Sequence, residues 1–256
     1  MIHNRLIALL LTVTVGEIAV AQDSPPPAEA VNLPSREIVL GNLPTNSDQR
    51  CIGIAMVSEA LLDGVRLEED GPDDVTEIVQ QIYRSLTDGQ IVRYRRDVMI
   101  GATRVPILSG AAIDKLSTLV ADKYKRDYFR LLKTEAGRQK LFAAQSDFVV
   151  SSRDLERILA ADADELDAFC GVGRRVFPDG EEKETTHAFL IGRGPDDKIV
   201  VYDPNDPGLP IACQISNTED GVTIEWTCRY RDTGHVTTQT YRIVHKDKFF
   251  GLLVGE

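Results

Sequence analysis

The sequence predicts an α+β fold, and three observations carry that reading. Apolar residues recur at helical spacing along the chain up to about Phe169, whereas from Thr185 onward the period falls to two. Helices first and antiparallel strands after are the order that defines the α+β class. Residues 37–256 are also enough for one domain with a sizeable core, and the sequence shows no internal repeat.

Met1–Ala21 carries a basic residue at Arg5, an apolar run Leu6–Val15 and the small-residue site Ala19-Val20-Ala21. That is the pattern of a secretory signal peptide, and the run is too short to be read first as a membrane span. Residues 22–36, with Pro25-Pro26-Pro27 and Pro34, read as a proline-rich linker. No later stretch is long and apolar enough to span a bilayer, so a secreted or periplasmic protein is expected. The formal net charge is −11, and loss of Arg5 and Glu17 with the signal peptide leaves it unchanged. Such an acidic balance argues against non-specific binding to nucleic acid or an anionic membrane.

The first helix is expected to begin at Cys51, after the cap-type residues Asn46-Ser47-Asp48, and to stop at Asp63-Gly64. Val75, Ile78, Val79, Ile82, Tyr83 and Leu86 predict a second helix behind Asp73-Asp74. Ile91–Leu108 is mixed, with room for a short strand. A long helix is predicted from about Ala111 to Lys133, and another after Ser151-Ser152 through Leu155, Ile158, Leu159, Leu166 and Phe169. Lys123, Lys125, Arg126, Arg130, Lys133, Arg138 and Lys140, interleaved with Asp122, Asp127 and Glu135, read as a solvated helix face, with a docking surface for an acidic partner as the alternative. The strand pattern then covers His187–Gly192, Lys198–Asp203, Ile211–Asn217, Val222–Arg229, Thr237–His245 and Phe249–Val254, with Asp220-Gly221 as a two-residue turn.

The first two of those strands flank Arg193–Asp197, whose Gly, Pro and Asp residues supply turn chemistry. If Gly192 pairs with Lys198, His187 faces Asp203 on the same side of the sheet as Phe189 and Val201. An imidazole held by a carboxylate is the arrangement of a general base. The matching nucleophile is Cys51, since a helix N-terminus and a neighbouring imidazolium both lower a thiol pKa.

A Cys on the first turn of a central helix, followed much later by a His-Ala strand and by Asp203-Pro204-Asn205 at a strand end, resembles the papain-like cysteine peptidase superfamily. The Cys, His, Asp order looks most like its YopT-type members. The resemblance covers roughly residues 46–62 and 186–208. It implies a Cys-bearing central helix packed on a C-terminal antiparallel sheet, Cys51 as nucleophile, His187 as base and then acid, and Asp203 as the orienting carboxylate. Asn205 is the alternative orienter. Papain has a Gln six residues before its Cys as an oxyanion donor, whereas this chain has Thr45; Asn46 and Gln49 are the oxyanion candidates here. The implied substrate is a protein or peptide amide bond, cut by hydrolysis without a cofactor. A transglutaminase-like or deamidating acyl transferase and a non-catalytic papain-like binding domain are the alternatives.

With Asp220-Gly221 as the turn, Cys213 faces Cys228 across the hairpin, a candidate disulfide in an oxidising compartment. Cys170 is then free or paired with Cys51. There is no His-Glu-x-x-His, Cys-x-x-Cys, phosphate loop or Gly-x-Ser-x-Gly, and Asp203–Gly208 fails as a calcium loop, so no metal site is expected.

Overall fold

A computed structural model describes residues 36–46, 50–63, 65–89, 92–160, 166–194, 197–219, 221–231 and 233–254. The expected signal peptide, nearly all of the linker, the oxyanion candidate Gln49 and the turn residue Asp220 lie outside them.

A short helix α1 (Arg36–Gly41) precedes α2 (Cys51–Asp63). Ile52, Ile54, Ala55, Met56, Val57, Ala60 and Leu61 are all buried, so α2 is covered on every side and forms the centre of the helical half. Strand β1 (Val65–Leu67) leads to α3 (Val75–Asp88). Asp74 caps α3 by accepting from Thr76 N and Glu77 N, and Gly89 ends it in the left-handed region at φ +66°. The mixed segment Ile91–Leu108 holds three short strands, β2 (Val92–Tyr94), β3 (Asp97–Ile100) and β4 (Thr103–Pro106), of which β2 pairs parallel with β1 and β3 antiparallel with β4.

Helix α4 (Gly110–Leu132) starts where Ser109 accepts from Ala112 N and crosses α2 at close range. The crossing requires Gly53, because a Cβ there would stand 1.9 Å from Ser117 O. Helices α5 (Glu135–Asp147), which the apolar pattern did not reveal, and α6 (Ser152–Leu159) follow.

Six strands then close into an antiparallel barrel: β5 (Leu166–Val176), β6 (Glu182–Arg193), β7 (Ile199–Tyr202), β8 (Ile211–Thr218), β9 (Gly221–Arg229) and β10 (Val236–Val244), with β10 joining β5 to β9. Closure leaves no unpaired edge. Along β5 and β6 the faces alternate. Phe169, Phe189 and Ile191 fill the barrel with Trp226, Tyr241 and Ile243, while Ala168, Cys170, Ala188 and Leu190 join the core that contains α2. Helix α7 (Lys246–Val254) ends the described chain. No helix among the described residues is long and apolar enough to cross a membrane.

The α+β class holds, and several local expectations are corrected. Leu166 and Phe169 belong to β5, not to the helix of Leu155, which ends at Leu159; Phe169 pairs with Phe189 in the barrel wall. Phe249–Val254 is helical. Phe250 and Leu253 are the buried residues there, and their spacing of three is helical.

Both hairpin registers shift by two residues. Gly192 pairs with Val200, since the loop tightens around Gly194 N–Lys198 O (2.8 Å) and places Asp197 at φ +58°. Thr218 pairs with Gly221, which sits at φ +113° as the first strand residue and not inside the turn. Cys213 therefore lies opposite Trp226 rather than Cys228, and the candidate disulfide is not formed; all four thiols are free.

Candidate active site

The start of α2 is built by side chains. Asn46 Oδ1 accepts from Arg50 N at 2.9 Å, and the first helical bond runs from Ile54 N to Arg50 O at 3.0 Å. Cys51 is thus the first helical residue, where backbone N–H groups have no helical acceptor. The Arg50 guanidinium fixes this end on α4 through Asp114 Oδ1 (2.7 Å) and Thr118 Oγ1 (2.9 Å), and also donates to Thr45 O.

The barrel supplies the rest. His187 stands on β6 next to Ala188, and Asp203 follows the last residue of β7; they are 3 % and 1 % exposed. His187 Nε2 and Asp203 Oδ1 are 2.8 Å apart. Three further donors hold the carboxylate: Asn205 N on Oδ1 at 2.8 Å, and Trp226 Nε1 (2.9 Å) and Gln239 Nε2 (3.1 Å) on Oδ2. The imidazole is packed among Phe189, Trp226 and Tyr241, with ring centroids 6.0, 6.4 and 5.6 Å away. Asn205 Nδ2 also reaches His187 Nε2 at 3.2 Å, while its Oδ1 accepts from Asn46 Nδ2 at 2.7 Å. With Asn46 N donating to Pro204 O at 3.0 Å, Asn46 ties the start of α2 to the Asp203–Asn205 turn.

These contacts set the charges. Burial alone would raise the Cys51 thiol, but the adjacent His187 imidazole and the Ala188 backbone outweigh it and bring the thiol below its ordinary value. Burial opposes charge on His187, yet Asp203 and Cys51 together raise it to about 9. Asp203 is held below the usual carboxylate range, because His187 and its other donors overcome its burial. Both shifts run in the direction that favours a thiolate paired with an imidazolium. With Nε2 engaged by Asp203, the other ring nitrogen, Nδ1, is buried without a hydrogen-bond partner and is the one left available to the neighbouring Cys51.

The remaining thiols are poor nucleophiles. Burial pushes Cys170 up to about 12 and Cys213 up to about 11, and it raises Cys228 further still. A cavity of about 470 Å³ opens beside Cys51 and His187, with Asn46, Thr186, Tyr128 and Phe249 in its walls.

The structure thus brings together Cys51, His187, Asp203, Asn46 and Asn205. Asp203 holds the closer, charged contact to the imidazole, and Asn205 sits behind it. Cys213 is directed at Ile199 O (3.4 Å), and Cys228 lies against Asp203. Trp226 and Gln239, which the sequence pattern placed only on strands, are the partners of the second Asp203 oxygen. A Trp and a Gln at inward-facing strand positions were the available signal. No family model matches this chain, and no curated protein or solved structure matches it.

Proposed function

We propose that the protein is a papain-like cysteine hydrolase acting outside the cytoplasm on an amide bond of a peptide or protein. The single observation that supports it is Cys51 at the head of a buried helix, interacting with an imidazole whose far nitrogen is 2.8 Å from a fully hydrogen-bonded carboxylate. The Cys51 thiolate attacks the scissile carbonyl carbon, and its S–C bond forms as the carbonyl π electrons move to oxygen. The Cys51 backbone N–H, free of any helical carbonyl, stabilises that oxyanion together with the second amide hydrogen of Asn46. His187 gives its Nδ1 proton to the leaving amine as the C–N bond breaks, leaving a thioester. It then takes a proton from water, which attacks the thioester and releases the acid and the Cys51 thiolate. Asp203 stays ionised throughout, holding the ring and its charge.

The test is hydrolysis of a fluorogenic peptide library by the full chain, with Cys51→Ala as control. Cleavage lost in Cys51→Ala is the expected result. Cleavage retained in that variant overturns the assignment.

A further inference from the structure

The chain carries 40 acidic residues against 29 basic ones, yet no Asp or Glu lines the cavity beside Cys51 among the described residues. Beside His187, two basic side chains line it instead, Lys125 from α4 and Arg175 from β5. Arg175 is the informative one. On β5, Gly171, Gly173 and Arg175 share a face, and Gly171 pairs with His187 on one side while Gly173 pairs with Tyr241 on the other. The missing Cβ atoms let Tyr241 lie close, since a Cβ at Gly171 would stand 2.7 Å from Tyr241 Cβ. The Tyr241 hydroxyl thereby accepts from Arg175 Nε at 3.1 Å, and the guanidinium carbon lies 5.7 Å from the centroid of the Tyr230 ring.

A phenol and an aromatic ring hold the guanidinium in place without neutralising it. Asp203 is the acid whose field reaches it, but both Asp203 oxygens are committed to His187, Asn205, Trp226 and Gln239. Arg175 forms no ion pair with any described carboxylate. A half-buried arginine built into the wall of a reactive-thiol cavity, with its two terminal nitrogens unclaimed by an acid, is a receptor for a planar anion.

We propose that Arg175 binds a carboxylate of the substrate, so that the peptide attacked by Cys51 carries an acidic residue on the Arg175 side of the scissile bond. This rests on the thiol-hydrolase reading and adds a substrate class to it.

Alkylation of Cys51 in the intact chain tests the proposal without a known substrate. Iodoacetate and iodoacetamide both place a CH₂ group on sulfur and expel iodide, but only the former carries a carboxylate. At low salt, Arg175→Gln is expected to lower the iodoacetate-to-iodoacetamide rate ratio several-fold, as for the loss of one unit charge from the cavity wall at a dielectric between protein and water. Arg175→Lys, which keeps the charge, is expected to restore most of it. An unchanged ratio in Arg175→Gln, with Cys51 still reacting rapidly with iodoacetamide, overturns the carboxylate site alone. Alkylation of wild-type Cys51 no faster than an ordinary thiol overturns the nucleophile reading and this proposal with it. A second measurement needs no variant: N-acetyl-glutamate amide should protect wild-type Cys51 from iodoacetamide, and N-acetyl-glutamine amide should not. Equal protection by the two, or none by either, refutes the site.

Discussion

His187 Nε2 lies 2.8 Å from Asp203 Oδ1, although the β6–β7 ladder pairs Leu190 with Tyr202 and sets neither residue opposite the other. The contact forms because both side chains point to the same side of the sheet at the end of the barrel. Its carboxylate accepts from four groups, so the site depends on a charge and not merely on a hydrogen-bond acceptor. Asp203→Asn keeps the shape, removes the charge and turns an amide NH₂ toward groups that are themselves donors. Turnover is expected to fall on the order of 10²–10⁴-fold, the range of a lost general acid–base function, with a smaller change in KM. Steady-state kinetics on any cleaved peptide measures it.

The same pair gives stability a pH dependence. His187 titrates at about 9 in the folded chain, above its unfolded value of about 6.5. Its contribution is therefore fully present below pH ~6.5 and is lost as pH rises towards that folded value. Asp203 is depressed in the folded state, so its contribution is present above its unfolded value of about 3.9 and disappears as pH falls through the lower, folded value. Urea midpoints of wild type and His187→Asn should differ most near pH ~6, and the gap should narrow as pH rises through about 9 to the part owed to lost ring packing. A gap that widens with pH would contradict the ion pair.

Asn46 joins the two halves of the site through Arg50 N, Asn205 Oδ1 and Pro204 O. Asn46→Ala removes the two side-chain bonds and leaves the one made by its backbone. The expected loss is about 1–3 kcal/mol at roughly 0.5–1.5 kcal/mol per bond. Turnover should drop as well, because α2 and the Asp203–Asn205 turn lose their brace. Thermal unfolding and kinetics together separate this from a purely structural effect: Asn46→Asp, which can still accept from Arg50 N, should recover stability more than turnover.

Gly53 should resist a substitution that helix propensity favours. Replacing an interior helical glycine by alanine ordinarily gains up to about 1 kcal/mol. Here the new methyl would stand 1.9 Å from Ser117 O on α4, backbone that cannot rotate away. Gly53→Ala is expected to cost about 1–3 kcal/mol, the usual range for overpacking, and to lower Tm.

The two hairpins show how far local sequence reaches. In each, the turn centre lies one residue from where Gly, Pro and Asp residues suggest, and strand partners move by two. Because side chains alternate with a period of two, such a shift keeps each residue on its face while changing its partner. His187 and Asp203 survive it, since long polar side chains on one face meet diagonally. The proposed Cys213–Cys228 bridge does not, because a disulfide needs close, specific Cβ geometry. Short apolar runs fail differently. Phe249–Val254 and Leu166–Phe169 are too short for periodicity to separate strand from helix.

The sequence by itself determined the α+β class, the helices α2, α3 and α4 and the local setting of each reactive group: Cys51 after cap-type residues, His187 on a strand, Asp203 at a strand end. Those are matters of period, capping and turn chemistry, all written within a few residues. Only the tertiary structure decided that the strands close into a barrel. Closure brings Trp226, Gln239 and Tyr241 from β9 and β10 against Asp203, His187 and Arg175. Such contacts join residues far apart in the chain, and the packing of the whole inner face sets them, so no local pattern announces them.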